Sequence, residues 1–238
     1  MAVRDNARYD AVATFYHSSN PDFVPDQVGT ALIRLMGPLG GRRVLDLACG
    51  GGRLTRELAR RGALVTGIDI SRVLLDHAET AERAQPLGVT YLHRDCTDDD
   101  VLAGQAFDCV ACYFGLTDID DLDGCLATVA RVLPPNGTFT FATLHPCFPG
   151  WAGTHSASWE STAGYFEEGY VVATGARSAL RQRVGANHRM LSTYLNALLR
   201  HRLTVEEVAE PGMPAEWTHE HPDAGPVPVF LVVRARRV

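Results

Sequence analysis

Short apolar runs alternate with helical patterns along the first 145 residues of the chain. The apolar runs are four to eight residues long and rich in β-branched, leucine and aromatic side chains, which is typical of strands. They span 42–49, 63–70, 89–95, 107–114 and 138–145. Helical spacing of apolar residues follows in 53–62, which ends at Gly62, in 71–84, where Ser71 is a candidate N-cap, and in 121–133. Strands joined by helices in this way predict a doubly wound, largely parallel α/β sheet.

Less regular segments flank this alternating region. We expect one domain over 1–238, in which two more strands complete a seven-stranded, mostly parallel sheet. The flanking predictions are helices at 8–17 and 26–37, a helix at 191–201, a strand or edge at 203–211 and a final strand at 229–236. The resulting division is an N-terminal helical arm (1–40), a core (41–145), an insertion after the fifth strand (146–190), and a C-terminal helix with strands (191–238).

The composition is that of an ordinary folded protein. Of its residues, 46% are hydrophobic and 21% are charged, which is far from the disordered regime. The formal charge of −6 provides no basic surface for a phosphate backbone, so we expect no nucleic-acid partner. The start of the chain has no apolar signal segment and no run of about 18 apolar residues occurs, so we expect a cytoplasmic protein without a membrane partner.

Neither the cysteines nor the histidines predict a metal or disulfide site. The six cysteines are irregularly spaced, and Cys109 and Cys112 stand three apart on a predicted strand, which sends them to opposite faces. His219-Glu220-His221 lacks an identifiable third ligand, so a solvated loop is the preferred interpretation. The acidic residues around the start of the 121–133 helix match what a helix N-terminus favours; they are Asp118, Asp120, Asp121 and Asp123.

The chemistry of the core is concentrated at the ends of the predicted strands, where open α/β sheets bind ligands. The stretch VLDLACGGGR ends the first strand in glycines, which let a ligand approach the backbone. A dinucleotide site requires G-x-G-x-x-G, but Thr55 stands in place of the third glycine. Asp46 would repel a pyrophosphate and suits an ammonium group. The residues therefore favour a zwitterionic ligand that carries a nucleoside, with Asp69 placed for ribose hydroxyls.

Five motifs resemble, in order over residues 44–145, those of class I S-adenosylmethionine (SAM)-dependent methyltransferases. VLDLACGGG resembles the first motif, with Ala48 in place of its first glycine, where we expect a negative φ. The others are GIDIS, HRDCTD, FDCVACYFGLTDIDDL and PPNGTFTFATLHPCF, the last of which is similar to the fifth-strand region of bacterial methyltransferases that act on small metabolites. The resemblance implies a Rossmann-like fold, SAM as cofactor and S-adenosylhomocysteine as product. It also implies methyl transfer to a small molecule, with secondary metabolism as one setting, and a monomer or homodimer.

The resemblance assigns the cofactor site residue by residue. Asp46 and the Ala48–Gly52 backbone would hold the methionine part, Asp69 the ribose, and Ile70 with Asp95 and Cys96 the adenine. The N-terminal YDAVATFYH resembles a lid over SAM. The implied cofactor residues are Tyr16, Asp46, Ala48, Cys49, Gly50, Gly52, Asp69, Ile70, Asp95, Cys96, Cys112 and Tyr113, with Tyr9 as a second lid candidate or a plain packing residue.

The acceptor side is less defined. His145, at the end of the fifth strand, is the candidate general base, although it could equally hydrogen-bond its own loop. The aromatic side chains of the insertion could wall an acceptor site or form a small core of their own. The candidate substrate residues are His145, Phe148, Trp151, Tyr165, His188, Tyr194 and Trp217. Open alternatives are a SAM-fold enzyme or binding protein with a non-methylating role and, less favoured, an NAD-dependent oxidoreductase.

Overall fold

The computed structural model describes residues 7–19, 26–148, 164–172, 179–213, 219 and 227–238. Seven helices and nine strands occur within these ranges, besides 3-10 turns at Asp10–Val12 and Gly115–Thr117. The helices are α1 (Ala13–Ser19), α2 (Gln27–Met36), α3 (Arg53–Arg60), α4 (Arg72–Ala84), α5 (Leu122–Val132), α6 (Ala179–Val184) and α7 (Leu191–Arg200). The strands are β1 (Arg43–Leu47), β2 (Leu64–Asp69), β3 (Thr90–His93), β4 (Cys109–Tyr113), β5 (Thr138–Leu144), β6 (Gly169–Val171), β7 (Ala186–His188), β8 (Leu203–Ala209) and β9 (Phe230–Arg237).

A seven-stranded sheet forms the centre of the fold, in the order β3-β2-β1-β4-β5-β9-β8. The first five strands in this order run parallel to one another, and β9 is antiparallel to both β5 and β8. The prediction of a doubly wound, mostly parallel sheet is therefore confirmed. The winding direction reverses between β1 and β4, and a ligand crevice is expected at their carboxyl ends.

Alternate residues of each strand enter two cores on opposite faces of the sheet. On one face, Val110 and Cys112 pack with α5 and α7. On the other face, Cys109 and Ala111 pack with α2 and α3. The two cysteines of the C-x-x-C therefore lie on opposite faces, as predicted, and the described cysteines are free thiols.

Local capping explains where several helices begin. Ser71 starts α4 as predicted, because its hydroxyl accepts a hydrogen bond from the Leu74 N–H at 3.1 Å. Asp121 caps α5 by accepting from the Gly124 N–H at 2.8 Å, which confirms the helix-terminal interpretation for that acid. No helix in the part of the chain that the structure describes has the length and apolar character needed to cross a bilayer.

The insertion differs from its prediction as an irregular segment. Its described residues include the strands β6 and β7, which pair antiparallel as a separate two-stranded sheet, and the short helix α6. Each element is three to six residues long, which is too short for a hydrophobic period to show in the sequence.

Candidate functional site

The glycine-rich loop after β1 turns sharply within five residues. Ala48 has φ +57°, so the prediction of a negative φ there was wrong. The left-handed turn comes directly after the strand, because the Cys49 N–H donates to the Ile68 carbonyl of β2 at 3.0 Å and holds the loop close to that strand. The Ala48 methyl group fits because Gly115 faces it: a Cβ on Gly115 would lie 2.6 Å from the Ala48 Cβ.

Asp69, the last residue of β2, holds this loop from the adjacent strand. Its carboxylate accepts from the Gly50 N–H and from the Ser71 N–H, both at 2.7 Å. Burial raises the pKa of Asp69 to about 6. Each carboxylate oxygen thus makes one backbone hydrogen bond and retains further acceptor capacity for a ligand hydroxyl.

Two adjoining cavities open at the carboxyl ends of the parallel strands. They share a wall made of Arg8, Ala48, Asp69, Ile70, Asp118 and Ile119. The first cavity, of about 170 Å³, is also lined by Ile68, Arg94, Asp95, Cys96, Thr97, Asp120 and Asp121. The second, of about 120 Å³, is also lined by Ala7, Tyr9, Tyr16, Gly50, Ser71, Leu74, Tyr113, Phe114 and Gly115. The first cavity therefore contains most of the carboxylates and is called the acidic cavity, and the second contains four aromatic side chains and is called the aromatic half of the site.

Eight of the twelve cofactor residues predicted from the sequence line these cavities. They are Tyr16, Ala48, Gly50, Asp69, Ile70, Asp95, Cys96 and Tyr113. Asp95, which follows β3, accepts from both the N–H and the hydroxyl of Thr97, at 2.9 and 2.7 Å. These two bonds fix the carboxyl group at the end of the acidic cavity.

The other four predicted residues lie behind the cavity walls. Asp46 is fully buried and accepts from the Thr55 hydroxyl at 2.6 Å, and burial raises its pKa to about 7. The Cys49 thiol faces Gly67, where an added Cβ would lie 2.9 Å from its sulfur, and Cys112 is buried in the core. Gly52 has φ +75° and begins α3. Their positions indicate that they shape the loop from behind.

His145 does not fit the role of a general base facing the cavities. The Cys147 N–H donates to its Nδ1 at 3.1 Å, so the ring proton is on Nε2, which donates to the Glu210 carboxylate at 2.9 Å. The ring is almost completely buried and lines neither cavity. The geometry supports the alternative interpretation, in which His145 holds its own loop.

The remaining acceptor-side predictions divide into four groups. His188 is buried and its Nε2 donates to the Tyr165 carbonyl at 2.7 Å, while the Tyr165 hydroxyl accepts from the Leu191 N–H. Tyr194 is buried in the core, stacks on Phe141 and lines neither cavity, and its assignment to the acceptor site stays a prediction. Phe148 is half-buried and packs against the His145 ring. Trp151 and Trp217 lie outside the described residues, as do Glu220 and His221 of the histidine cluster.

Several residues that line the cavities were not predicted from the sequence, and all of them for the same reason. Arg8, Phe114 and Ile119 come together only because the arm and the loop after β4 fold over the strand ends. Phe114 has φ +64°, which is uncommon for an aromatic residue and is held by its N–H bond to the Ala142 carbonyl. Its position as the last residue of the predicted fourth strand, 107–114, was the available signal.

No cluster of three or more His, Cys, Asp or Glu side chains suited to a metal ion occurs within the described ranges. The site instead combines carboxylates, glycine backbone and aromatic rings. Carboxylates at strand ends bind ribose hydroxyls and cations, and aromatic faces attract a cation and pack on a planar group. This set of groups suits a nucleoside that carries a positive charge.

Comparison with known proteins agrees with this chemistry. Residues 44–137 match a protein family described as a methyltransferase domain. Over 118 residues, the chain is 35% identical to a ubiquinone biosynthesis O-methyltransferase of Coxiella burnetii, a match that covers 49% of each protein. The chain thus spans about half the length of the curated relatives it matches.

Solved structures extend the similarity to most of the fold. A SAM-dependent methyltransferase from Mesorhizobium loti is 29% identical, with a TM-score of 0.71, and the match covers 89% of this chain and 98% of that one. The [4+2]-cyclase SpnF is 18% identical with a TM-score of 0.68, and the match covers 98% of this chain and 94% of that one. The second similarity concerns the fold alone.

Proposed function

We propose that the chain belongs to the class I SAM-dependent methyltransferases, whose cofactor is SAM, and that it transfers the SAM methyl group to a small-molecule acceptor. The observation that carries this proposal is the position of Asp69. Its carboxylate is tied to the Gly50 N–H in the glycine loop and faces both cavities at the strand ends. A single group therefore links the places where a methionine chain, a ribose and an adenine would lie.

The described residues fit the parts of SAM. The ribose hydroxyls would donate to Asp69, and the adenine would lie between Ile70 and Ile119 with its amino group toward Asp95. The methionine part would follow the backbone at Gly50, whose missing side chain leaves room: the nearest atom to an added Cβ would be 3.7 Å away. The sulfonium would then face the aromatic half of the site.

That aromatic half favours a planar acceptor. Tyr16, Tyr113 and Phe114 line it, and the Tyr113 and Phe114 rings meet edge to face at 4.6 Å. When bound, SAM supplies an activated methyl group; the residues of the chain would orient the acceptor and exclude water, and an acceptor hydroxyl would give up its proton to solvent before the transfer, which releases S-adenosylhomocysteine. Together with the O-methyltransferase named among the relatives, these rings support a hydroxyl oxygen on a planar, apolar molecule as the acceptor.

Calorimetry with S-adenosylhomocysteine and SAM tests the cofactor proposal. Wild-type protein should bind both, and Asp69→Ala should weaken binding by about 100-fold, because the ribose loses its charged acceptor and the loop its tie. Asp76→Ala is the matched control, since Asp76 is exposed on α4 and its salt bridge is to Arg72. Absence of binding by the wild type would refute the proposal.

Methyl transfer itself requires a second assay. Release of S-adenosylhomocysteine should be followed with methyl-labelled SAM and a panel of hydroxylated aromatic compounds, with the label traced to an ether oxygen by mass spectrometry. Tight SAM binding with conversion of an acceptor but no label transfer would favour a non-methylating enzyme. Label on nitrogen or carbon would correct the acceptor atom and leave the transfer reaction in place.

A further inference from the structure

The insertion supports a loop of the cofactor site through buried arginines. Arg189, which follows β7, donates to the carbonyls of Leu116, Ile119 and Asp120, at 2.7, 2.6 and 2.9 Å. Its side chain is buried, and the carbonyls belong to the loop 115–121 between β4 and α5. Because this loop lines both cavities, the shape of the cofactor site depends on the insertion.

Asp118, in the middle of this loop, is bound from two opposite sides. Arg181 of α6 donates to its Oδ1 at 2.5 Å, and the Tyr9 hydroxyl of the N-terminal arm donates to its Oδ2 at 2.9 Å. Arg181 is buried and also donates to the Gly185 carbonyl at 2.9 Å, which fixes its direction. The same carboxylate therefore joins the insertion to the arm at the wall that the two cavities share.

Two further contacts join the arm to the insertion. The Arg8 guanidinium lies 4.5 Å from the centre of the Tyr170 ring of β6. The Arg183 guanidinium of α6 lies 4.7 Å from the centre of the Phe15 ring of α1. Each contact is a cation–π interaction between segments more than 160 residues apart. The arm thus rests on the insertion as well as on the core.

From this geometry we infer that Arg181 is a positioning residue of the cofactor site: acting through Asp118, it holds the Tyr9 hydroxyl and the N-terminal arm over the cavity. Arg181 itself lines neither cavity, so its effect on a ligand there must pass through other residues. The identity of the ligand used in the test rests on the proposed function; the attachment of the arm does not.

Asp118 is a carboxylate in a partly buried position, with a side chain that is 20% exposed. Arg181 is its ion-pair partner at 2.5 Å. Without this guanidinium, the carboxylate would turn toward solvent to regain hydration, and Tyr9 would lose an acceptor in a fixed position.

A double-mutant cycle of Arg181→Met and Tyr9→Phe tests this role. Each single variant should weaken S-adenosylhomocysteine binding by about tenfold, and the double variant also by about tenfold, because both remove the same attachment. Hydrogen exchange of the amides in 7–19 should be accelerated to the same extent in all three. Arg181→Lys should restore part of the affinity, since an ammonium keeps the charge without the second donor.

Several results would overturn the inference. Independent effects that multiply to about 100-fold, or unchanged exchange in the arm, would show that Arg181 acts on overall stability instead. Arg200→Met is the matched control, since Arg200 forms an exposed ion pair with Asp123 and should leave affinity and exchange unchanged. If Arg181→Met does not fold, Asp118→Asn replaces it in the cycle, and the exchange of the 7–19 amides is then the deciding measurement, because Asp118 itself lines both cavities.

The cycle also separates this inference from the proposed function. If the wild type binds no S-adenosylhomocysteine, the proposed function fails, while the exchange of the 7–19 amides still tests whether Arg181 holds the arm. If the wild type binds but the exchange rates of the single variants equal those of the wild type, the positioning role fails and the proposed function stands.

Discussion

Two glycines of the loop after β1 should respond in opposite ways to the same substitution. Gly52 has φ +75°, and an added Cβ would lie 2.3 Å from the Tyr91 hydroxyl and 2.9 Å from the Ala78 Cβ. Gly50 has φ +53°, but an added Cβ would have as its nearest atom the Leu74 Cδ1 at 3.7 Å. Gly52→Ala should therefore damage the fold, whereas Gly50→Ala should spare the fold and obstruct the cavity.

The expected free energies follow from three contributions. A left-handed backbone costs an alanine about 1–2 kcal/mol at either position. The overlap with Tyr91 and Ala78 adds about 1–3 kcal/mol at Gly52 alone. Loss of chain entropy in the unfolded state offsets about 0.4–1 kcal/mol in both variants. Gly52→Ala should lower the unfolding free energy by about 2–4 kcal/mol, and Gly50→Ala by about 1 kcal/mol.

Urea denaturation followed by circular dichroism measures both values, and calorimetry with S-adenosylhomocysteine measures binding. A lower midpoint with an unchanged m-value is expected for Gly52→Ala. Gly50→Ala should lose most of its affinity while remaining folded. A free energy of unfolding for Gly52→Ala within about 0.5 kcal/mol of the wild-type value would refute this prediction, and so would a Gly50→Ala variant that is less stable than Gly52→Ala.

Three further substitutions test the buried polar groups. Burial raises the pKa of Asp46 to about 7, so the stability that its protonated carboxyl group contributes is present below about pH 4 and is lost as the pH rises toward 7. Asp46→Asn should therefore reduce the change of the unfolding free energy over this pH range by up to about 4 kcal/mol. Urea denaturation at pH 5 and pH 8 covers the upper part of this range, where about 3 kcal/mol of the change is expected, and an unchanged slope would contradict the raised pKa. Tyr91→Phe should raise the unfolding free energy by about 1 kcal/mol in thermal melts, because the buried hydroxyl has no hydrogen-bond partner among the described residues; a destabilised variant would show that it has one. Ser71→Ala should lower the melting temperature by an amount equivalent to about 1 kcal/mol, because the Leu74 N–H at the start of α4 loses its acceptor, and an unchanged melting temperature would argue against this cap.

The sequence predicted the central fold because local patterns and tertiary packing agree there. Strands buried on both faces appear as short apolar runs, and Ser71 marks the start of α4 by the same hydrogen bond that the structure contains. The conformation of Ala48 was not predictable, since it depends on the space left by Gly115, which is 67 residues further along the chain. The strands β6 and β7 are three residues long, below the length at which a period can be recognised.

In the site too, local sequence patterns predicted the positions of some residues, whereas contacts between distant segments could not be predicted. Gly50 and Asp69 could be placed at strand ends, and both line the second cavity. Asp46 belongs to the same motif, but its carboxyl group turns to Thr55, a contact that becomes visible only once α3 is packed on the sheet. The pairing of Tyr9 with Asp118 spans 109 residues and has no local signature at all.

The hydrogen bonds of Arg189 have a consequence for engineering the acceptor range. On the loop side, all three acceptors are backbone carbonyls, which every amino acid possesses. The side chains of 115–121 that line the cofactor cavities can therefore vary without breaking this attachment, whereas the arginine cannot be replaced by a shorter donor. Chimeras that exchange the insertion between related proteins should keep this attachment where the donor segment brings an equivalent arginine and the recipient loop keeps the equivalents of Gly115 and Asp118.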